Sequence, residues 1–150
     1  MNTPRRTFLK SIIAAGGAMA IGARAVMADW PDKAFRADTV EKAIQTLFES
    51  PDIKNSKKIT IEAPEIAENG AVVPIEVTAN LPKVESITII GEENPKPLIA
   101  QFNFAENALG WVKTRIKLAE TSNVIAVVKA DGKLYKARRL VKVTIGGCGG

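Results

Sequence analysis

The stretch VIAVVKADGKLYKARRLVKVTI, residues 124 to 145, decides the fold. Apolar side chains alternate from Val124 to Val128 and again from about Leu134 to Ile145, on either side of Asp131-Gly132. A period of two residues is typical of a half-buried strand. Asp-Gly suits the two positive φ angles of a type I′ turn. The stretch therefore predicts a hairpin of two strands.

Five stretches further upstream show the same two-residue period and are separated by Gly-, Pro- and Asn-containing turns. Seven short strands at this spacing indicate a mainly β fold, an antiparallel sandwich of immunoglobulin-like type without the Cys…Trp…Cys pattern of antibody domains. Pro74 inside the second strand indicates an edge or a bulge, and Trp111 is expected in the core. The five stretches are Ile59/Ile61, Val73/Ile75/Val77, Ile87/Ile89, Leu98/Ala100/Phe102/Phe104 and Val112/Thr114/Ile116/Leu118.

One amphipathic helix is expected before the strands. Asp38-Thr39-Val40-Glu41 resembles a capping box, in which a polar side chain closes the first turn of a helix. Apolar residues then recur at helical spacing from Val40 to Phe48, until Ser50-Pro51 ends the pattern. We therefore expect a helix of about three turns at the start of the domain.

The first 28 residues have the features of a secretory leader. Arg5-Arg6 precedes a short apolar run rich in Gly and Ala, and small or β-branched residues lead up to Ala28. Adjacent arginines followed by Thr-Phe-Leu-Lys match the twin-arginine pattern. The run is shorter than the about 20 residues of a membrane span, so no membrane anchor is expected. We expect cleavage between Ala28 and Asp29, or alternatively after Ala25, and a location in the periplasm.

The net charge of the chain depends on that leader. The full sequence has 21 Lys and Arg against 16 Asp and Glu, a formal net charge of +5. Residues 1–28 hold four of the basic residues and no acidic one, so the rest has a net charge near +1 and gives no reason to expect nucleic-acid binding. Basic residues predominate after residue 112. Their field could attract an anionic ligand or an acidic partner, or they could form a solvated strand face.

The chain has a single cysteine, Cys148, and no histidine. The absence of histidine excludes Ser-His-Asp and Cys-His nucleophiles, and no cluster of soft ligands indicates zinc, copper or haem. Glu92 and Glu93 have no second group at the spacing of an acid/base pair and are expected to be solvated. We therefore expect no catalysis, metal or cofactor. A lone cysteine leaves only an intermolecular disulfide or a reserved thiol.

Cys148 lies in the terminal sequence Ile145-Gly146-Gly147-Cys148-Gly149-Gly150. Free cysteines are usually buried, whereas this one follows the last residue able to hold a strand in place. At about 3.5 Å per residue, the thiol can lie on the order of 10 Å beyond Ile145, and the whole tail spans roughly 17 Å. Glycines let such an arm bend and enter a channel too narrow for other residues. The tail therefore suits a carrier that visits several enzymes.

Three different roles for this tail fit less well. A disordered end with an incidental cysteine would expose a free thiol, which is a liability. Prenylation needs a cysteine in the fourth position from the end, and Cys148 is in the third. Ubiquitin-like sulfur carriers also end in Gly-Gly, but they form a thiocarboxylate in the cytoplasm and make no use of a cysteine.

With its leader, its helix followed by an all-β domain and its terminal motif, the chain resembles the SoxY family, the sulfur-carrying subunits of the thiosulfate-oxidising Sox system. The resemblance covers the whole chain, and the terminal GGCGG matches without departure. It implies a twin-arginine-type signal peptide over residues 1–28, an immunoglobulin-like domain over 29–145 and a swinging arm over 146–150. In that family the cysteine is the covalent attachment point, here Cys148, and the arm is formed here by Gly146, Gly147, Gly149 and Gly150.

The resemblance also implies a cycle in the periplasm in which this chain is not itself an enzyme. A c-type cytochrome joins thiosulfate oxidatively to the cysteine sulfur, a hydrolase releases sulfate, and a sulfane dehydrogenase oxidises the remaining persulfide. A SoxZ-like β-sandwich subunit without its own leader is the expected heterodimer partner. The twin-arginine route moves folded proteins and could export the two together.

A second hypothesis, from another functional class, stays open. The domain could be a non-covalent periplasmic binding or chaperone module whose terminal cysteine only crosslinks dimers. Such a module would carry its function on a strand edge or an apolar patch. The position of the cysteine between pairs of glycines favours the covalent carrier. The sequence leaves open the length of the sulfur chain, the host's Sox enzymes and the strands that face a partner.

Overall fold

The computed structural model describes residues 31–48 and 52–145. The predicted leader and the terminal arm lie outside the described residues. Backbone contacts divide the chain into two units, Met1–Trp30 and Pro31–Gly150, and every element below belongs to the second unit.

The described part of this unit contains two helices and nine strands. The helices are α1 (Asp32–Phe35) and α2 (Val40–Leu47). The strands are β1 (Ile53–Asn55), β2 (Ile59–Glu62), β3 (Ile66–Asn69), β4 (Val73–Ala79), β5 (Val84–Gly91), β6 (Leu98–Asn103), β7 (Trp111–Ile116), β8 (Ser122–Ala130) and β9 (Lys133–Ile145).

The strands form a sandwich of two sheets. The larger sheet has the order β1-β9-β8-β5-β6, with β3 also paired to β9, and the smaller has the order β2-β4-β7. The prediction of a mainly β, immunoglobulin-like sandwich is confirmed, and all seven predicted strands are present. Two details were wrong, because β1 and β3 are additional strands and both run parallel to β9. Each is only three or four residues long, too short for its sequence to show a period of two.

The central strands of the larger sheet are buried on both faces. Val124, Ala126 and Val128 of β8 pack into the core between the sheets, whereas Ile125 and Val127 pack beneath the helices. This explains why β8 is almost continuously apolar instead of strictly alternating. The fold therefore has two apolar layers, one inside the sandwich and one between the larger sheet and the helices.

The predicted hairpin joins β8 to β9. Ala130 pairs with Lys133, and the two residues between them, Asp131 and Gly132, have φ angles of 49° and 70°. Two positive φ angles are the requirement of a type I′ turn, which confirms the role of the Asp-Gly pair. The strands stay in unbroken register from this turn to Ser122 opposite Val141.

The helical region differs in detail from its prediction. The hydroxyl of Thr39 accepts a hydrogen bond from the Lys42 backbone N–H at 3.2 Å and so caps α2, whereas Asp38 forms an ion pair with Lys96. Helix α2 has eight residues, just over two turns, instead of about three. The short helix α1 precedes it, so the described part has two helices rather than one. Neither has the length and apolar character needed to cross a bilayer, within the described residues.

Two side chains of the smaller sheet test the finer predictions. Pro74 lies in β4, the central strand, but the pairing of β2 with β4 stops at Glu76, so Pro74 is locally at an edge as its missing N–H requires. The expectation for Trp111 was wrong, because the residue is 48% exposed and its indole N–H donates to Glu76 at 2.8 Å. This polar partner satisfies the indole at the surface.

Candidate functional site: the base of the C-terminal arm

The residues predicted to carry sulfur lie outside the described residues. These are Cys148 and the arm residues Gly146, Gly147, Gly149 and Gly150. Ala28 and Asp29, the predicted cleavage site, also lie outside them. The structure describes the strand that leads to the arm, as far as Ile145. We call Lys142–Ile145 and the groups that hold these residues the arm base.

Strand β9 extends past the strand beside it. Val141 lies opposite Ser122, the first residue of β8, so the last four residues of β9 have no strand on that side. On the other side they pair with β3, in a parallel register that places Ile66 opposite Lys142 and Asn69 opposite Ile145. The arm base is thus held by a strand on one edge only, and by side chains elsewhere.

Besides the pairing with β3, hydrogen bonds from neighbouring loops and side chains hold the arm base. The Val143 N–H donates to the Thr121 hydroxyl at 3.0 Å, on the side that β8 does not reach. The Thr144 hydroxyl donates to the Glu68 carbonyl at 2.8 Å. The Gly70 N–H donates to the Ile145 carbonyl at 2.8 Å. Because the last bond reaches the final residue of β9, the chain is fixed up to the point where the glycines begin.

The loop that supplies Thr121 is itself fixed from two directions. The Leu118 N–H donates to the Gly70 carbonyl at 2.8 Å, and the Leu118 side chain is fully buried. The Asn94 side chain donates to the Lys117 carbonyl at 2.9 Å and accepts from the Ala119 N–H at 2.8 Å. The Asn94 amide therefore bonds one backbone carbonyl and one backbone N–H of this loop, as a neighbouring strand would. These bonds join three loops into one support for the arm base.

Gly91 allows Asn94 to approach the sheet. A Cβ at Gly91 would lie 2.9 Å from the Asn94 amide nitrogen and 3.1 Å from methyl groups of Ile99 and Leu118. The first distance is shorter than side-chain carbons normally tolerate, so only glycine fits without displacing a neighbour. Gly91 is therefore part of the support for the arm base, although it contacts none of its residues directly.

Glu92 and Glu93, near this support, form hydrogen bonds that fix the surrounding structure. The Glu92 side chain, expected to be solvated, is half-buried and accepts a hydrogen bond from the Asn123 amide at 2.7 Å. Glu93 is exposed as expected, and its N–H donates to Ser122 Oγ at 3.1 Å. Within the described residues no group of three or more His, Cys, Asp or Glu side chains is arranged to hold a metal ion. The arrangement is one that fixes backbone.

The basic residues of β9 are spread along the strand. Lys142, in the arm base, lies 3.6 Å from the Glu65 carboxylate. Arg138 and Arg139 are exposed and form no ion pair within the described residues, and Arg138 precedes Ile145 by seven positions, about 23 Å at about 3.3 Å per residue. The unpaired positive charge therefore lies farther along the strand than the reach of the thiol, on the order of 10 Å.

The carboxyl groups with shifted pKa values lie away from the arm base. A hydrogen bond from Lys96, together with its positive charge, lowers the pKa of Asp38. Hydrogen bonds from Trp111 and then Lys113 lower the pKa of Glu76, and the smaller sheet carries this group. Hydrogen bonds from Lys129 and from the Gly132 N–H lower the pKa of Glu85, beside the hairpin turn. Asp38 is exposed, whereas Glu76 and Glu85 are partly buried, and each of the three is stabilised as an anion by a neighbouring donor.

Exposed apolar side chains lie both at the arm base and away from it. Ile145 is 66% exposed, and Ile66, opposite Lys142, is 55% exposed. Leu109 is 85% exposed and precedes the exposed Trp111 at the end of the sandwich opposite the arm. A groove of about 580 Å³ runs between α2 and β9, with Ile44 and Ile125 among its apolar residues and Arg138 on its wall. Neither the Leu109 surface nor the groove includes a residue of the arm base.

Sequence reasoning predicted an arm but did not identify the contacts that support its base. The turns containing Gly70, Asn94 and Thr121 were recognised only as connections between strands. Their residue types are those of turns, and nothing in the order of residues shows that groups 20 to 30 positions apart are bonded to one another. A further signal was present in the length of the last strand, which exceeds that of its predicted hairpin partner.

Comparison with known proteins agrees with the fold and the terminal motif. The sequence profile of the family described as "Sulfur oxidation protein SoxY" matches residues 44–148, which includes Cys148. A solved structure of the sulfur carrier protein SoxY from Chlorobium limicola f thiosulfatophilum is 43% identical, with a TM-score of 0.66, and the match covers 71% of this chain and 97% of that chain. No match was found among the curated proteins.

A second solved structure, described as the structural basis of T cell specificity and activation by the bacterial superantigen toxic shock syndrome toxin-1, is 10% identical with a TM-score of 0.41. That match covers 57% of this chain and 98% of the other, and a likeness at this level carries no argument. The family match and the 43% identity over most of the chain lead to one conclusion. The chain belongs to the SoxY family.

Proposed function

We propose that this protein is a covalent carrier of sulfur-oxidation intermediates, with Cys148 as the attachment point. Membership of the SoxY family supports a role in sulfur oxidation, and the family match runs as far as residue 148. The observation that carries the proposal is the arm base, which holds β9 up to Ile145, three residues before the only cysteine. A rigid strand that ends just before a short glycine arm suits a thiol that must be presented outside the domain.

The loading step joins two sulfur atoms. The Cys148 thiol loses its proton, and its sulfur forms a bond with the outer sulfur of thiosulfate. Two electrons pass to a c-type cytochrome, and the product on the arm is an S-thiosulfonate. The thiolate is the reacting form of a cysteine. This chain supplies the sulfur atom and its reach, and the cytochrome supplies the oxidant.

The unloading steps need no catalytic group from this chain. In hydrolysis, a water oxygen bonds to the sulfone sulfur, the S–S bond to that sulfur breaks, and sulfate leaves a persulfide on Cys148. A sulfane dehydrogenase then oxidises the remaining sulfane sulfur, with water supplying the oxygen atoms and the dehydrogenase's redox centre taking up the electrons. The chain has no histidine and one cysteine, which supports assigning the catalysis to its partners.

Release is as important to a carrier as binding. Ordering five residues inside a partner costs about 5 to 10 kcal/mol, at about 1 to 2 kcal/mol each. Insertion of the arm is therefore transient unless the sulfur cargo adds contacts of its own. We propose that the stable partner is a SoxZ-like β-sandwich, that the enzymes bind only in passing, and that the pair works in the periplasm after twin-arginine export of the folded protein.

The proposal is tested by the mass of the protein after enzymatic loading. The full carrier is incubated with thiosulfate and the c-type cytochrome of the same system, and intact mass spectrometry is followed by peptide mapping. We expect an added mass on the peptide that contains Cys148, removed by a thiol reductant. Cys148→Ser is the matched control, because it exchanges one atom outside the described fold and should acquire no adduct.

The same experiment separates the carrier from a binding module. If wild-type protein gains no adduct, or gains it at another residue, the carrier proposal fails. A module whose cysteine only crosslinks dimers would instead show a doubled mass without reductant and no thiosulfate-derived mass. Its function would survive Cys148→Ser.

A further inference from the structure

We propose that Thr121 is a positioning residue for the arm, and that its hydroxyl sets the direction in which the chain leaves the domain. The inference rests on the proposed carrier function. Thr121 lies in the loop before β8 and has no counterpart among the residues that the family resemblance assigned. Its hydroxyl accepts the Val143 N–H at 3.0 Å, five residues before Cys148.

The geometry gives this bond a place that no strand residue fills. Successive N–H groups of a strand point to opposite edges, and the Lys142 N–H donates to the Glu65 carbonyl at 2.9 Å, on the edge where β3 lies. The Val143 N–H therefore points to the other edge, but β8 begins only at Ser122 and supplies no carbonyl there. Thr121 takes the position of a missing strand residue. Its bond continues the hydrogen bonding along that edge of β9 two residues beyond the last pair with β8.

On the other edge β3, the Gly70 N–H and the Glu68 carbonyl hold the arm base, so the Thr121 hydroxyl is the group that holds it from the side of β8. Strand β3 has four residues, of which only Ala67 is buried, and pairs with no other strand of the described part. A strand held on one edge by a short, exposed partner can swing away from the sheet, because few buried contacts oppose the motion. With Thr121 in place, Val143 is held from both sides.

The hydroxyl is itself held in place, as a positioning group must be. Asn94 fixes the backbone at Lys117 and Ala119 by two hydrogen bonds, and the buried Leu118 anchors the same loop. Thr121 thus connects the base of the arm to a loop that is anchored in the core. Small errors of placement matter when a reacting atom must enter another protein's active site.

Three variants of the full chain test this role. Thr121→Val removes the acceptor while keeping the shape of the side chain, and Thr121→Ser keeps the acceptor. Thr60→Val is the control, since Thr60 is also an exposed threonine, on β2, and its side chain has no hydrogen bond within the described residues. Enzymatic loading of Cys148 by thiosulfate and the c-type cytochrome is compared with its reaction with a small disulfide reagent, at a temperature where all variants are folded.

We expect Thr121→Val to lower the kcat/KM of enzymatic loading about fivefold, which is about 1 kcal/mol. The reaction with the small disulfide should be unchanged, because a small molecule needs no defined arm direction. Thr121→Ser should restore loading, and Thr60→Val should leave both reactions unchanged. In amide hydrogen exchange, the Val143 N–H should lose protection in Thr121→Val alone.

Two results would overturn the inference and spare the proposed function. One is equal enzymatic loading of wild type and Thr121→Val, and the other is a fivefold loss in Thr121→Ser as well, which would show that the hydroxyl is not what matters. Failure of wild-type protein to load at all would instead overturn the proposed function itself. A parallel loss in both the enzymatic and the small-molecule reaction would also contradict a positioning role, because it would place the effect on the thiol.

Discussion

The two ends of β9 are fixed in different ways. At its start, the turn at Asp131 and Gly132 needs two adjacent residues with positive φ, and the sequence supplies an Asp-Gly pair. At its end, the last residues depend on Thr121, Gly70 and Glu68, which come from two other parts of the chain. The hairpin end is a local structure, whereas the contacts of the arm base form only when the rest of the domain has folded.

This difference matches what each end has to do. A hairpin turn has only to reverse the chain, and a local solution is enough. In the proposed carrier, the arm base has to hold the strand up to a defined residue, which requires contacts that end there. The bond from the Gly70 N–H to the Ile145 carbonyl marks that residue. Substitutions at one end at a time test this difference.

The largest effect on stability is expected from Gly91→Ala. The new Cβ would lie 2.9 Å from the Asn94 amide and 3.1 Å from the Leu118 side chain, so a neighbour must shift, and a shift of Asn94 would strain its two bonds to the loop that carries Thr121. We expect a loss of about 1 to 3 kcal/mol in the free energy of unfolding, the usual cost of overpacking. Urea denaturation with a linear extrapolation measures it.

Gly132→Ala is the matched control at the other end. A Cβ at Gly132 would meet nothing within 4 Å, and its φ of 70° is the sole source of cost. We expect about 1 kcal/mol, from placing an L-residue in the left-handed region. A larger loss at Gly132 than at Gly91 would reverse the comparison, since it would mean that the local turn, and not the support of the arm base, is the more tightly constrained end.

The sequence predicts the local features of the fold and misses those that depend on distant contacts. The turn at Asp131-Gly132, the seven periodic strands and Thr39 within the capping sequence all depend on residues close together in the chain, and all were predicted. The parallel strands β1 and β3, and the exposure of Trp111, depend on what packs beside them and were missed or wrong. The alternation of residues in a half-buried strand shows which positions face the core, but it does not show which edge of the strand lacks a neighbouring strand.

The candidate site divides in the same way. The cysteine between pairs of glycines is a local pattern, so its chemistry was predicted from six residues. The role of Asn94 could not be, because asparagine before proline indicates a turn wherever it occurs. Only the folded chain brings its amide to Lys117, more than 20 positions away. The sequence therefore led to a proposal for what is carried, whereas the contacts that support the arm base are seen only in the structure.

The next effect in size concerns the arm itself. Gly147→Val places a β-branched side chain beside the thiol, which restricts the backbone and widens the arm where a channel must accept it. We expect enzymatic loading or sulfate release to fall at least about tenfold, roughly 1.4 kcal/mol in the transition state. The melting temperature should not change, since the arm lies beyond the last strand.

The small-molecule reaction of Cys148 is the control for this variant. A small disulfide needs no channel, so its rate should stay near that of wild type. Equal enzymatic rates for the two proteins would rule out threading of the arm while leaving the carrier assignment intact. Comparison with Thr121→Val would then show whether direction, rather than width, limits the encounter.

The smallest effect is expected from acid at the hairpin end. Glu85 accepts hydrogen bonds from Lys129 and from the Gly132 N–H, at 2.7 Å in each case, and these donors lower its pKa in the folded state. Because the anion is favoured by folding, the stabilisation is present above the pKa that a glutamate has in the unfolded chain. It is lost as the pH falls through the lowered pKa of the folded state. The group is partly exposed, so solvent weakens the effect.

Glu85→Gln isolates this contribution. The amide oxygen can still accept from the Gly132 N–H, but the variant has no carboxylate to titrate. Wild type should therefore be the more stable protein at neutral pH, and the difference between the two unfolding free energies should shrink as the pH is lowered into the acid range. Glu62→Gln, an exposed carboxylate on β2 without an ion pair in the described residues, controls for the change in net charge. A difference that stays constant with pH would mean that the carboxylate charge does not hold the turn, and that the hairpin end relies on its backbone geometry alone.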